Sequence, residues 1–187
     1  SPAVDAARRT DQLFGVVLTL QSLADAALRL EEWDEAGRYV EEAEKLAREL
    51  QLVMQMPRIL QLRASIALGM EDNATALLLA NESISMAHAH EDDLAAGTGE
   101  RLRGQALAGL GRWPEAEDAF RQSAAINEQS DRYEAARTYA EWGMALAQRG
   151  ELESAQLRIG QARAIFAGLG AEGDLDRLQK FVLGSAG

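Results

Sequence analysis

The residue types that could bind a metal ion are present in this sequence, but their spacing does not suit a metal site. His88 and His90 are the only histidines. On a helix, residues two positions apart point about 200° apart, so these two side chains do not share one ion. Glu91, Asp92 and Asp93 follow them and fit the end of one helix and the cap of the next. We predict no metal site here.

One glycine pattern matches the residues of a nucleotide-binding fingerprint but not its structural context. Residues 168–173 read Gly-Leu-Gly-Ala-Glu-Gly, which is G-x-G-x-x-G. A dinucleotide site needs this pattern directly after a β-strand, where it opens a helix that holds the pyrophosphate. Here the pattern follows a helical segment in a chain without strand signals. We interpret it as the glycine-rich end of a helix and predict no cofactor.

The sequence offers no set of side chains for nucleophilic or acid–base catalysis. It contains no cysteine, and neither histidine accompanies a serine or threonine in a nucleophile pattern. Neighbouring carboxylates occur, as at Glu31-Glu32 and Glu41-Glu42. On amphipathic helices such pairs are typical of solvated faces. We therefore predict that the chain is not an enzyme.

Composition restricts the classes of partner and the cellular location. The 187 residues carry a formal charge of −11, which disfavours nucleic acid and anionic membrane surfaces. No apolar run approaches the roughly 20 residues that span a bilayer, and Arg8, Arg9 and Asp11 interrupt any signal-peptide pattern. We expect a cytoplasmic protein. Because the sequence begins Ser-Pro-Ala without a methionine, we also expect it to be a piece of a longer protein.

A regular spacing of small residues indicates how the chain is organised. Four alanines recur at intervals of 40, 40 and 39 residues, each at the same place in a helical pattern. A period of this length is the signature of stacked helical repeats. Prolines are few, alanine is abundant, and strand signals are absent, so we predict an all-α fold. The alanines are Ala36, Ala76, Ala116 and Ala155.

The predicted architecture is an α-solenoid of four antiparallel helix pairs plus a C-terminal capping helix, forming a single domain over residues 1–187. The predicted helices are 11–30, 33–50, 54–69, 72–90, 92–110, 113–129, 131–149 and 151–168, which define repeats 11–50, 52–90, 92–129 and 131–168, with the cap at 172–183. Gly69, Gly111 and Gly150 are expected just after the first helix of a pair, in the left-handed conformation. Pro114 and Asp131 are expected at helix starts.

The motif residues resemble tetratricopeptide repeats (TPRs), in which aromatic, leucine-glycine and Ala-x3-Phe positions recur along two helices. The fourth repeat carries the resemblance best, with Tyr139, Trp142-Gly143, Leu146, Ala155 and Ile159. The third has Gly104, Leu107, Trp113, Ala116 and Phe120. The period of about 40, rather than 34, and the missing proline near the end of the second helix indicate longer helices. Such arrays resemble those of kinesin light chains, Leu-Gly-Asn-type polarity adaptors and, most closely, large bacterial ATP-binding regulators and cyclases.

The TPR register implies which small residues separate the helices of a pair. Ala24, Ala64, Gly104 and Gly143 on the first helices should lie against the recurring alanines or their neighbours on the second helices. A larger side chain at either set would overpack the contact. Arg63 and Arg103 depart from the family, which has apolar residues at their positions.

The same resemblance implies a ligand surface. In TPR arrays the concave groove is lined by the first helix of each pair, and the implied binding residues here are Gln21, Arg58, Gln61, Arg101, Gln105 and Arg137. Arginine forks suit carboxylates and glutamine amides suit an extended backbone. An acidic or C-terminal segment of a protein or peptide is therefore the implied partner. The other interpretation is that these are ordinary solvated side chains, some of them paired with nearby acids.

Two functions follow as expectations. The first is a non-catalytic scaffold that binds a peptide or partner protein in the concave groove. The alternative is a regulatory or effector-sensing segment of a multidomain bacterial transcription factor or signalling ATPase. The sequence of the whole gene would distinguish them, because it would show which domains adjoin this piece.

Overall fold

The computed structural model describes the backbone of residues 2–184 and the side chains of residues 12–182. All of the described regular structure is helical, which confirms the all-α prediction. The chain divides into two compact units, Ser1–Glu91 and Asp92–Gly187. The α-helices of the described backbone are α1 (Pro2–Arg29), α2 (Trp33–Glu49), α3 (Met56–Gly69), α4 (Asn73–Ala89), α5 (Asp93–Gly109), α6 (Trp113–Ser130), α7 (Arg132–Arg149), α8 (Leu152–Leu169) and α9 (Glu172–Gly184).

The first unit consists of two helix pairs. α1 packs on α2 and α3 packs on α4, and α3 also contacts both helices of the preceding pair. Its core includes Val17, Val40, Ile59 and Leu62, each almost fully buried. A short 3-10 turn, Val53–Gln55, leads into α3. Within this unit the pairs therefore stack in chain order, as in a solenoid.

The second unit repeats this arrangement and adds a final helix. α5 pairs with α6 and α7 with α8, while α7 also packs on α5 and α6, and α9 packs on α8. Phe120 of α6 stacks on Trp142 of α7, with ring centroids 5.9 Å apart. Such offset aromatic pairs contribute about 0.5–1.5 kcal/mol beyond the area they bury. The stack thus joins the two pairs of this unit.

The predicted helix boundaries agree with the structure to within about two residues, except at α1, which extends back to Pro2. Pro114 lies in the first turn of α6, as expected. Asp131 caps α7 by accepting hydrogen bonds from the Tyr133 and Glu134 amides at 2.8 and 3.3 Å. The Asp131 amide donates to the Asn127 carbonyl rather than to Glu134. The Glu134 carboxylate is therefore free to reach another helix.

The small residues lie where the repeat register placed them. Ala36, Ala76, Ala116 and Ala155 are all at most 2% exposed. A β-carbon added at Gly104 would meet the Phe120 ring, and one added at Gly143 would lie 3.1 Å from the Ala155 carbonyl oxygen. The close approach of the two helices within these pairs is confirmed.

A second set of equivalent positions repeats along the chain, in the turns between the two helices of each pair. Glu31, Glu71, Gly111 and Gly150 all have positive φ angles, of 60, 61, 74 and 90°. They follow the first helix of each pair and repeat with the same period as the alanines. The left-handed conformation is confirmed for Gly111 and Gly150. The prediction for Gly69 is wrong.

Gly69 is small for a different reason. It is the last residue of α3, and a β-carbon there would overlap the ring of Trp33, the first residue of α2. Glu71 takes the left-handed position instead. Gly69 therefore makes room for an aromatic ring from the preceding pair.

A hydrogen bond between the helices of a pair recurs in both units. The Ser83 hydroxyl donates to the Pro57 carbonyl at 3.1 Å, and the Ser123 hydroxyl donates to the Gly97 carbonyl at 2.7 Å. Both serines are fully buried. The two bonds are related by the 40-residue period and satisfy polar atoms that burial would otherwise leave unpaired.

Candidate functional site

The six residues predicted to line a groove all lie on first helices of pairs, three in each unit. Gln21 is on α1, and Arg58 and Gln61 are on α3; the remaining three are on α5 and α7 of the second unit. Each set is described within its own unit. In both units the side chains contact other residues of the chain.

In the first unit, Arg58 bridges the two first helices. Its guanidinium forms an ion pair with Asp25 of α1. About a third of each side chain is exposed, so the pair lies at the surface and contributes at most about 1 kcal/mol of stability. Gln21 is buried and donates to the Gln55 side chain at 3.2 Å. Arg58 is therefore the accessible member of the predicted set in this unit.

Gln61 belongs to the interior. It is 3% exposed, and its Nε2 donates to the Ser83 hydroxyl at 3.1 Å. That hydroxyl in turn donates to the Pro57 carbonyl. Gln61 thus extends the hydrogen bond that joins α3 to α4, which gives it a structural role.

In the second unit, two arginines share one carboxylate. Arg101 of α5 binds Glu134 Oε2 through Nη2 at 2.9 Å, and Arg137 binds Glu134 Oε1 through Nη1 at 2.9 Å. The Arg101 side chain is 4% exposed and the Arg137 side chain 29% exposed. Arg101 is therefore the buried member of this set and Arg137 the accessible one.

The charges around Glu134 fix its ionisation. Burial alone would raise the pKa of its carboxyl group, but the guanidinium groups of Arg101 and Arg137 outweigh burial and lower the pKa to about 2. Glu134 is therefore ionised at neutral pH. It supplies the counter-charge that allows Arg101 to be buried, because an isolated buried charge is very costly.

Gln105 begins a second chain of contacts. Its Nε2 donates to Glu141 Oε2 at 2.9 Å, and the Arg177 Nη2 donates to Glu141 Oε1 at 3.0 Å. These bonds link α5 to α7 and α7 to α9. A further bond between α7 and α9 runs from the Tyr133 hydroxyl to Asp174 Oδ2 at 3.0 Å. First helices are thus joined by polar side chains along their shared surface.

Sequence reasoning did not assign an acidic partner to any particular arginine of this surface. Asp25 and Arg58 are 33 residues apart, and so are Arg101 and Glu134. This interval is shorter than the 40-residue repeat by seven residues, which is about two turns of a helix. Oppositely charged residues 33 positions apart on successive first helices therefore indicate an ion pair between those helices. From this separation, the ion pair between Arg101 and Glu134 could have been predicted from the sequence.

A small hollow lies in the second unit between α7, α8 and α9. Its apolar lining includes Met144, Phe166 and Leu178. Four charged residues complete it, two arginines and two acids. They are Arg137, Arg177, Glu141 and Asp174.

The glycine pattern and the histidines have the local roles that the sequence indicated. Gly170 ends α8 in the left-handed conformation, with φ of 68°, so the G-x-G-x-x-G letters mark a helix end. His88 is in the last turn of α4 and His90 follows that helix. Among the described residues, no cluster of three or more His, Asp or Glu side chains is arranged to hold a metal ion. No described helix is long and apolar enough to cross a membrane.

Comparisons with known proteins leave the family open. Neither a protein-family model nor a curated protein sequence matches this chain. The tetratricopeptide resemblance therefore depends on the motif residues and on the way the helix pairs pack within each unit.

Proposed function

We propose that the chain is a TPR-like, non-catalytic interaction scaffold that binds a peptide or a segment of a partner protein. In this proposal each unit has its own binding surface, formed by the first helices α1 and α3 in one unit and by α5 and α7 in the other. The location we propose is the cytoplasm of a bacterial cell.

The observation that carries the proposal is the polar cross-linking of successive first helices. Asp25 with Arg58, and Arg101 with Glu134, connect neighbouring helices on the same side of each unit. The buried Arg101–Glu134 pair holds its charged groups in fixed positions before any ligand arrives. Preorganisation of this kind lowers the cost of ordering side chains on binding. Arg58 and Arg137 then present guanidinium groups from a rigid support.

The structure also changes which residues are expected to touch the ligand. The Arg58 and Arg137 side chains are partly exposed, at 35% and 29%, whereas Gln21, Gln61 and Arg101 are at most 7% exposed. The first two suit the carboxylates of an acidic or C-terminal segment. We assign the buried three to support of the surface.

An array of synthetic peptides, probed with the whole chain, tests the proposal. The array carries acidic and neutral peptides, each with a free and with an amidated C-terminus. We expect binding of a subset of peptides and a loss of at least about tenfold in affinity for Arg58→Ala and Arg137→Ala, since a hydrogen bond to a charged group contributes about 1.5–3 kcal/mol.

Two variants on second helices serve as controls. Arg48→Ala on α2 and Arg121→Ala on α6 remove the same charge from side chains whose acidic partners are on the same helix. They should leave peptide binding unchanged. If the control variants weaken binding as much as the first-helix variants, net charge and not the proposed surface explains the interaction.

A further inference from the structure

One side of α1 is exposed and carries no charge. Residues 12–24 contain no Asp, Glu, Lys, Arg or His, although the formal charge of the chain is −11. On the exposed side of this stretch, Val16 and Leu23 are each 41% exposed. The last helix differs, because α9 exposes acids such as Glu172 and Asp176. An exposed, uncharged side with large apolar residues is typical of a surface that packs on another protein.

The repeat shows what this side of a first helix does elsewhere. Thr19 is equivalent to Ile59 of α3 and Thr138 of α7, at the spacing of the recurring alanines. Ile59 and Thr138 are fully buried. Ile59 belongs to a core that includes residues of α2, and Thr138 is hydrogen-bonded to Ser123 and Asn127 of α6. In α3 and α7 this side therefore packs on the second helix of the preceding pair, whereas in the described part of α1 it is exposed.

The hydroxyl groups on this side are already satisfied by their own helix. The Thr19 hydroxyl donates to the Gly15 carbonyl at 2.9 Å, and the Ser22 hydroxyl donates to the Leu18 carbonyl at 3.0 Å. Burial of these hydroxyls against an apolar surface would leave no hydroxyl donor unpaired. The side can therefore enter a dry interface without a large desolvation cost.

Gly15 provides a notch on the same side. It lies inside α1, where glycine destabilises a helix relative to alanine. Apart from its chain neighbours and the backbone of its own helix, no described atom lies within 4 Å of a β-carbon added there. Packing within the described chain therefore does not require glycine at this position. Its missing side chain allows another helix to approach closely.

We propose that a second copy of the chain covers this side, with the two α1 helices antiparallel about a two-fold axis at Thr19. In such a pair, a residue that follows Thr19 by a given number of positions faces the residue that precedes it by the same number. Leu23 then faces Gly15 of the other copy, and Val16 faces Ser22. Each large side chain meets a small one, and the same patch serves both copies, as an isologous dimer requires.

The distribution of charge favours a second copy as the occupant. Two chains of charge −11 repel each other where their acidic surfaces meet. The uncharged stretch 12–24 allows two copies to meet without like charges in contact. A basic partner would be attracted to the acidic surfaces instead.

This dimer does not depend on the proposed peptide surface. Thr19 and Asp25 are six residues apart, which places them about 120° apart around the helix, and Asp25 pairs with Arg58 of α3. The peptide surface of the first unit therefore stays free in the dimer. Arg58→Ala should weaken peptide binding and leave the dimer unchanged, so that failure of either proposal can be recognised separately.

Disulfide trapping tests the arrangement, because the chain contains no cysteine. Thr19→Cys places one thiol of each copy at the two-fold axis, and Leu157→Cys places one on the exposed surface of α8 as the matched control. A disulfide needs its two β-carbons within about 4.5 Å, which identical residues reach only near the axis. With oxidised glutathione and micromolar protein, we expect Thr19→Cys to form the covalent dimer at least about tenfold faster than Leu157→Cys. Equal rates would overturn the inference.

Sedimentation equilibrium of the whole chain measures the association itself. We expect a reversible dimer of the 20.3 kDa chain. Leu23→Glu should raise the Kd of this dimer at least about tenfold, because it buries a carboxylate. Leu157→Glu adds the same charge to α8 and should leave the Kd within about twofold of the wild type. A wild type that stays monomeric up to about 1 mM, or equal dimerisation of both variants, would overturn the inference.

A mixture of two variants tests the position of the axis. Gly15→Lys and Leu23→Glu should each weaken the dimer when studied alone. In a mixed dimer, the introduced ammonium group faces the introduced carboxylate once, and one native contact between Leu23 and Gly15 remains. The mixture should therefore dimerise more tightly than either variant alone. Thermal unfolding confirms that both variants are folded, and no recovery in a mixture of folded chains would overturn the two-fold axis at Thr19.

Discussion

Arg101 and Glu134 form a buried ion pair, 2.9 Å between Nη2 and Oε2, that joins α5 to α7. The pair is completed by Arg137, which binds the other oxygen of the same carboxylate. Glu134 therefore contacts two guanidinium groups, one buried and one partly exposed. This arrangement makes Glu134 the residue on which the polar surface of the second unit depends.

Replacing Glu134 should destabilise the chain more than a surface substitution does. Glu134→Gln leaves Arg101 buried without its counter-charge, and breaking one side of a buried pair costs about 3–5 kcal/mol. Urea unfolding followed by circular dichroism measures this loss. The double variant Arg101→Met with Glu134→Gln should regain part of it, because position 101 then buries no charge. A Glu134→Gln chain as stable as the wild type would show that the pair does not hold Arg101 in place.

Acid should weaken the same contact within a defined range of pH. The folded pKa of Glu134 is lowered from 4.5 to about 2, so its contribution is present above the unfolded pKa and is lost as the pH falls from about 4.5 to 2. The shift corresponds to about 3 kcal/mol. Unfolding free energies measured across this range should fall more steeply for the wild type than for Glu134→Gln. Parallel curves would mean that Glu134 does not titrate with a lowered pKa.

At the turn positions with positive φ, introducing glycine should stabilise the chain and removing glycine should destabilise it. Glu71→Gly should stabilise the chain by about 0.5–1 kcal/mol, because glycine adopts positive φ without strain. Gly150→Ala should destabilise it by about 1–2 kcal/mol for the same reason. Thermal unfolding gives both values. Glu71→Ala is the control and should be close to neutral, since neither side chain favours this conformation.

Two glycines of the last helix pair offer a matched test of close packing. Gly143→Ala adds a methyl group next to Ile159 and the Ala155 carbonyl, whereas Gly160→Ala adds one where no atom beyond its chain neighbours and the backbone of its own helix lies within 4 Å. The first should cost about 1–3 kcal/mol by overpacking. The second should be neutral or stabilising by up to about 1 kcal/mol, because alanine favours a helix over glycine. Equal melting temperatures for the two variants would refute the proposed contact between α7 and α8.

The sequence predicted local features well and contacts between helices less well. Helix ends could be predicted because the Asp131 cap and Pro114 in a first helical turn act within one turn of the chain. Gly69 and Gly111 look alike in sequence, yet only Gly111 adopts the left-handed turn. The difference is register: Glu71, two residues after Gly69, is the position equivalent to Gly111. Gly69 is small because the Trp33 ring reaches it from another helix.

For the candidate surface, too, the sequence predicted local features better than contacts between helices. The repeat period placed the predicted residues on first helices, but it did not show which of them are buried. Arg101 and Arg137 are both arginines on such helices and bind the same carboxylate, and only their exposure, 4% and 29%, separates a supporting role from an accessible one. That exposure depends on how far neighbouring first helices are offset, which packing decides.

The location of a bound peptide tests the scaffold function most directly. The tightest peptide from the array, titrated into the ¹⁵N-labelled whole chain, should shift amides of first helices, either α1 and α3 of the first unit or α5 and α7 of the second. For a peptide that binds the second unit, Arg137→Ala should reduce those shifts while Arg121→Ala leaves them unchanged. Shifts confined to the second helices, or shifts that Arg137→Ala and Arg121→Ala alter equally, would contradict the proposed surface.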